Sequence, residues 1–289
     1  MKQSTRQKTL PKLINHPILY KLAKFSHRTY CKITQDIHSE PNFIIIGVDK
    51  GGTSSLYDYL IQHPQIKPCV VKEPNYFAMY YDRGMSWYKS CFPTQFSKKN
   101  NFITGEASTQ YYWYPHTAQR IKNSFPNIKL ILLLRNPIDR AFSHYNMNVR
   151  GAKEDLTFED AIDEEHQRID SEYKKILDDP YYFSPKYSLQ AYISKSLYIN
   201  ILPNWLKHFK KSQFLIIKSE DFYADPDKIY NQTLSFLNLK PFHLEKYHIV
   251  RQGKYDGLNP DTRKKLTEFF KPYNEKLYSY LDRNFEWEL

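Results

Sequence analysis

Residues 43–56, FIIIGVDKGGTSSL, constrain this chain more than any other stretch. An apolar run, Phe43 to Ile46, leads into Gly47. A short loop carries Lys50, Gly51 and Gly52, and Thr53, Ser54 and Ser55 then open a helix. A buried strand, a glycine turn and a helix N-terminus together make an anion site, because free backbone N–H groups and the helix dipole point at the same spot. The expected ligand bears phosphate or sulfate. An ordinary strand–turn–helix corner with a solvent-exposed lysine would read the same way from this stretch alone. Against just 8 glycines in 289 residues, however, the Gly51-Gly52 pair stands out. Gly47 and Gly52 have the spacing of the ATP-binding loop G-x-x-x-x-G-K-[ST], but Thr53 stands where that loop needs its lysine. The lysine has moved back to Lys50, so a nucleotide kinase would lack its cation at the terminal phosphate.

The formal charge of +11 is uneven. Residues 1–40 hold eight Lys/Arg against Asp36 and Glu40, whereas residues 151–187 hold eleven Asp/Glu against five Lys/Arg. The basic arm suits a membrane surface, nucleic acid or a partner. A solvated tail docking through Ile14, Ile18, Leu22 and Phe25 is the plainer reading, and no nucleic-acid module is evident. The three cysteines, Cys31, Cys69 and Cys91, are too few for a disulfide scaffold and match no zinc spacing, so they read as reduced structural thiols of a cytoplasmic protein without a metal site. No run approaches the ~20 apolar residues of a membrane span, and the first forty residues lack the apolar centre of a secretory signal.

Strands are expected at 43–48, 66–71, 128–134 and 213–217, and helices at 53–62, 155–179, 188–209, 226–238 and 260–281. The near-continuous apolar run IKLILLL (128–134) suits a central parallel strand covered on both faces. It stops at Arg135-Asn136-Pro137, where Asn136 is an N-cap and Pro137 a first helical residue. The alternation predicts an α/β fold: a P-loop-like central parallel sheet flanked by helices, in a single domain over 41–289 preceded by a basic, partly helical arm over 1–40. In such sheets ligands bind beyond the carboxyl ends of the strands. Lys50, Glu73 and Arg135 each lie just past an expected strand end, so one site can use all three.

These segments together resemble the sulfotransferases that use 3′-phosphoadenosine 5′-phosphosulfate (PAPS). GVDKGGTSSLYDYL is similar to the 5′-phosphosulfate loop of that family, and LLLRNPIDRAFSHY to its 3′-phosphate element. KEPNYF resembles a stretch of the heparan-sulfate branch that carries a catalytic glutamate. GEASTQYYWYP (105–115), SLYINILPNWLKHF (196–209) and SEDFYADP (219–226) resemble bacterial members and that branch. The resemblance implies PAPS as sulfuryl donor and adenosine 3′,5′-bisphosphate as product. It implies that Lys50, Gly51, Gly52, Thr53, Ser54 and Ser55 hold the 5′ end, and that Arg135 and Ser143, with Tyr198, serve the 3′-phosphate side. It also implies Lys50 at the departing phosphate oxygen, Glu73 as general base and His144 as a second base or acceptor contact. RQGKYDG resembles, loosely, a basic loop that closes over PAPS, which assigns Arg251, Gly253 and Lys254. The paired cysteines flanking that region in the animal heparan-sulfate branch are absent.

Each role has a bland counterpart: Arg135 as a surface ion pair, Glu73 as a strand-end carboxylate paired with Lys72, His144 as a structural histidine. The acceptor is less legible. A small molecule or saccharide, sulfated on a hydroxyl or amine, is expected. The acidic block points to a small, neutral or cationic acceptor, in the style of bacterial specialised metabolism, met by Glu164, Glu165 and Asp170 and an aromatic pocket of Tyr76, Tyr80, Tyr111, Tyr112 and Trp113. A homodimer is left open. A P-loop kinase and a non-catalytic anion- or partner-binding protein are the competing classes.

Overall fold

The computed structural model describes residues 26, 29–95, 102–248 and 257–287. Strands β1 (Phe43–Gly47), β2 (Ile66–Pro68), β3 (Ile103–Ala107), β4 (Lys129–Leu134) and β5 (Phe214–Lys218) form one sheet in the order β2-β3-β1-β4-β5. Every pairing is parallel, with Ile44 of β1 opposite Glu106 of β3 on one side and Leu130 of β4 on the other. All carboxyl ends of the strands therefore open on one edge. The chain runs outward from β1 to β2, returns to β3, then crosses to β4. The reversal leaves a crevice where β1 and β4 end, the place where open α/β sheets bind ligands.

Period-two alternation divides the core. Ile44, Ile46, Leu130, Leu132 and Leu134 face one layer with Tyr112, Tyr198 and Trp205. Phe43, Ile45, Ile131 and Leu133 face the other with Leu56, Phe222 and Leu234. Both faces are covered, which is why the central strands are apolar throughout. Helices α1 (Thr53–Leu60), α2 (Met85–Lys89), α3 (Thr117–Ser124) and α4 (Pro137–Arg150) are followed by α5 (Phe158–Asp163), α6 (Glu165–Asp178) and α7 (Pro185–Gln190). The series ends with α8 (Tyr198–His208), α9 (Ser219–Ala224), α10 (Pro226–Phe236) and α11 (Pro260–Leu281). No described helix is long and apolar enough to cross a membrane.

The expected P-loop-like α/β architecture is what forms, with four local differences. β3 is a strand that the sequence pattern does not announce, because Thr104, Gly105 and Glu106 interrupt its apolar content. A side chain at Gly105 would collide with the Phe43 carbonyl of β1. The acidic stretch is two helices, α5 and α6, and 188–209 is broken before α8. The break has a cause: the backbone N–H groups of Tyr192, Ile193 and Ser194 donate to the buried Glu165 carboxylate at 2.7–2.8 Å. That carboxylate takes up donors a continuous helix would have bonded. The strand after residue 66 ends at Pro68, which puts Glu73 in a loop several residues beyond β2.

Candidate active site

The loop between β1 and α1 is held from both sides. Val48 N–H donates to the Leu133 carbonyl at 3.0 Å, and Ser219 Oγ donates to the Gly51 carbonyl at 2.8 Å. A Cβ at Gly51 would lie 2.9 Å from the Leu133 oxygen, and one at Gly52 2.9 Å from the Tyr223 hydroxyl. Gly52 also has φ +97°, so that position needs glycine for its backbone as well as its size. Gly52 has no side chain with which to cap α1, and the first turn of α1 carries no acidic residue. The positive end of the helix is thus left for something else to neutralise. Thr53 and Ser55 are buried in that turn, and Ser54 is half-buried. Lys50 takes φ +70°, an uncommon conformation for a residue with a side chain.

Arg135, just past β4, reaches back to this loop: its Nη1 donates to the Lys50 carbonyl at 3.1 Å. The Tyr198 hydroxyl donates to the Arg135 carbonyl at 2.8 Å, and burial raises that phenol far above its usual range, so it stays a donor. Asn136 caps α4, accepting from the N–H groups of Ile138 at 2.9 Å and Asp139 at 3.3 Å. The cap fixes the direction of α4, which carries the buried Ser143 and His144. Lys50, Gly51, Gly52, Thr53, Ser54, Ser55, Arg135 and Tyr198 therefore meet at the β1–β4 crevice.

Beneath the loop lies a charge cluster that the sequence reading missed. Asp49 Oδ1 accepts from Arg140 Nη1 at 3.1 Å, and Asp49 Oδ2 from Lys195 Nζ at 3.2 Å. Arg140 also donates to Ser196 Oγ at 2.6 Å and to the Tyr192 carbonyl. Both cations are essentially buried. Burial opposes charge on Asp49, but Lys195 and Arg140 outweigh it and hold the carboxyl well below the usual carboxylate range. Burial pulls the Lys195 ammonium down to about 8, with Asp49 opposing. Asp49 thus bridges two buried cations, and the buried Glu165 carboxylate also acts on Lys195. The adjacency of Asp49 to Lys50 was the available signal. Arg140 and Lys195 carried none, since their meeting depends on the turn before α8.

His144 is 1% exposed, with Nδ1 3.6 Å from Asp49 Oδ2 and its ring edge-on to Tyr192 at 5.2 Å. Burial and the nearby cations push its pKa well below the usual histidine value, against Asp49, so it is neutral at physiological pH. It sits under the loop. Glu73 is half-buried at φ +51° in the loop after β2, the edge strand next to β3. Arg251, Gly253 and Lys254 lie outside the described residues, as do Ile14, Ile18, Leu22 and Phe25. The His248 carbonyl accepts from the Tyr59 hydroxyl of α1 at 2.9 Å.

The expected acceptor surface changes character. Glu165 is buried and committed to the 192–194 turn, with Ser194 Oγ adding a bond at 2.6 Å, whereas Glu164 and Asp170 are exposed. Glu154 pairs with Arg168 at 3.0 Å, and Glu172 accepts from Lys175, Tyr182 and Ser184. Glu154, Glu165 and Glu172 are therefore tied into internal structure, whereas seven of the eleven acidic residues of the block are exposed. Tyr76, Tyr111, Tyr112 and Trp113 are buried in the core, leaving Tyr80 as the partly exposed member of the expected pocket.

The family model for the sulfotransferase domain matches residues 40–272. The chain belongs to the sulfotransferase family. It is 29% identical to the membrane-associated sulfotransferase kil1 of Dictyostelium discoideum, over 86% of this chain and 66% of kil1. It is 27% identical to human heparan sulfate glucosamine 3-O-sulfotransferase 3B1, over 86% of this chain and 65% of that protein. It thus spans about two thirds of the length of these relatives. A solved sulfotransferase from Alicyclobacillus acidocaldarius superposes with a TM-score of 0.71 at 30% identity, covering 85% of this chain and 97% of that one.

Proposed function

We propose that this sulfotransferase takes its sulfuryl group from PAPS and delivers it to a hydroxyl or amine of a saccharide or small molecule. The observation that carries the reading is the cradle between β1 and β4. Two glycines there leave no room for side chains, the first turn of α1 carries no acidic residue, and Asp49 of the loop is already engaged by the buried cations Arg140 and Lys195. Such a site fits a nucleotide bearing about four negative charges at its two phosphorylated ends. When bound, PAPS supplies an activated sulfuryl group on a phosphate leaving group.

The N–H groups at the start of α1, with the Thr53, Ser54 and Ser55 hydroxyls, would hold the 5′ end. Arg135 and Ser143 would hold the 3′-phosphate, the guanidinium as a permanently charged fork. Tyr198, bonded to the Arg135 carbonyl, sets the backbone that presents it. Lys50 would balance charge gathering on the departing phosphate oxygen, and Glu73 would take the proton of the acceptor. His144, neutral and enclosed, acts here by packing against Asp49 and Tyr192. Arg251, Gly253 and Lys254 are assigned to closure over the donor, and residues 1–40 to a basic arm preceding the domain.

The 3-O-sulfotransferase relatives favour a saccharide hydroxyl as acceptor. The acidic, exposed Glu164 and Asp170 favour a neutral or cationic one, as in specialised metabolism. Three buried free thiols favour a cytoplasmic setting. The test is transfer of radiolabelled sulfate from PAPS to heparan sulfate, a neutral oligosaccharide, a phenol and a primary amine, with Glu73→Gln beside the wild type. Labelling of one acceptor class that Glu73→Gln abolishes supports the reading. Phosphorylation from ATP–magnesium in place of sulfation would replace it with the kinase.

A further inference from the structure

Glu106 is a carboxylate in the middle of the sheet. It lies on β3, 1% exposed, opposite Ile44 of β1. A buried carboxylate is costly, and an apolar residue would serve the sheet better. Its bonds indicate what it is for. Tyr88 donates to Oε1 at 3.1 Å, and Ser108 Oγ donates to Oε2 at 2.6 Å. The same Ser108 oxygen accepts the Asn75 N–H at 3.0 Å. Asn75 Nδ2 in turn donates to the Glu73 carbonyl at 3.2 Å. A chain of hydrogen bonds thus runs from the buried carboxylate to the backbone of Glu73.

The loop at the end of that chain is strained. Glu73 (φ +51°) and Asn75 (φ +48°) both occupy the left-handed region without being glycine. Such conformations persist when the surroundings over-determine them. Ser108 provides that constraint, and it can accept squarely from Asn75 because its own proton is directed to Glu106. We propose that Glu106 is a positioning residue for Glu73, acting through Ser108 and Asn75 to hold the loop in its left-handed form. The proposal rests on the reading of Glu73 as general base.

The site titrates. Burial pushes the Glu106 carboxyl up to about 7, against the hydrogen bonds from Ser108, Tyr111 and Tyr88. Tyr57, Tyr88 and Tyr111 face it as phenols, and Cys69 and Cys91 as thiols, each raised by the same burial. Glu73 faces it from the loop. Protonating Glu106 replaces a charged acceptor by a neutral one and loosens the Ser108 contact.

The experiment is site-resolved hydrogen–deuterium exchange of the Asn75 amide in the wild type, Ser108→Ala, Glu106→Leu and Glu106→Gln. Adenosine 3′,5′-bisphosphate binding and far-UV circular dichroism serve as fold controls. Protection of Asn75 is expected to fall about tenfold or more in Ser108→Ala and Glu106→Leu, the scale of one charge-assisted hydrogen bond. It should recover in part in Glu106→Gln, whose amide oxygen still accepts from Ser108. After correction for intrinsic exchange, wild-type protection should drop as pH is lowered from 8 to 6, and Glu106→Gln should be flat. Bisphosphate affinity should stay within about twofold, since the chain ends at the loop of Glu73. Unchanged Asn75 protection in folded Ser108→Ala and Glu106→Leu would overturn the proposal. Failure of the wild type to bind bisphosphate, or full transfer activity in Glu73→Gln, would instead overturn the donor or base assignment. The exchange comparison would stand in either case.

Discussion

Replacing Asp49 by Asn removes the carboxylate that is bonded to two buried cations while nearly preserving shape. At 3.1 and 3.2 Å the Arg140 and Lys195 contacts each carry a Coulomb attraction of ~5 kcal/mol at an effective dielectric of about 20, most of it offset by desolvation. Removing one partner of a buried ion pair costs ~3–5 kcal/mol, because the others remain charged and enclosed. For a chain of this length a loss of ~4 kcal/mol corresponds to a fall of about 7 °C in the melting temperature. Urea unfolding at pH 7 of the wild type, D49N, K195M and the D49N/K195M double variant measures this. The double variant should regain at least ~1–2 kcal/mol over the sum of the single effects, since deleting Lys195 relieves the repulsion left by D49N. Because the folded pKa of Asp49 lies below its unfolded value near 3.9, the contribution is complete above about pH 4 and shrinks as pH falls below it. The gap between wild type and D49N should therefore hold from pH 7 to about 4 and narrow further down. A D49N cost under ~1 kcal/mol, or strictly additive effects, would refute the cluster as a structural unit.

Other perturbations separate binding from chemistry. Gly52→Ala, forced to φ +97° against the Tyr223 hydroxyl, should cost ~1–3 kcal/mol in unfolding experiments and weaken bisphosphate binding at least tenfold. Lys50→Ala should lower kcat by about 10²–10³ while changing bisphosphate affinity much less, as measured by initial rates beside calorimetry. Glu73→Gln should lower kcat by about 10²–10⁴ with bisphosphate affinity unaltered; equal losses in both would assign it to donor binding. Asn136→Ala should cost ~1 kcal/mol of stability through the lost cap of α4, read as a shift of the urea midpoint.

How far the sequence could be read depended on whether the information was local. The glycine loop, the apolar run of β4 and the Asn136-Pro137 helix start each carry their cause within a few residues, and each was placed close to where it forms. β3 was not legible, because Gly105 and Glu106 answer to neighbours outside the strand: the Phe43 carbonyl needs the space, and the loop of Glu73 uses the charge. The break before α8 was hidden for the same reason, since it depends on Glu165, some thirty residues earlier. The acidic block is mostly exposed, and Glu165 could not be told apart within it because composition does not distinguish a solvated carboxylate from one that caps a turn. Arg140 and Lys195 could not have been paired with Asp49 before the fold brought α4 and the 194–196 turn beneath the loop.

The central claim is that the β1–β4 crevice is a site for a nucleotide phosphorylated at both ends. Calorimetric titration with adenosine 3′,5′-bisphosphate, with ATP–magnesium as comparator and Arg135→Ala as control, tests it directly. The account predicts tight bisphosphate binding that exceeds ATP binding and that Arg135→Ala weakens by at least tenfold, the scale of a lost charge-assisted pair. Absent bisphosphate binding, a preference for ATP–magnesium, or affinity indifferent to Arg135 would contradict it.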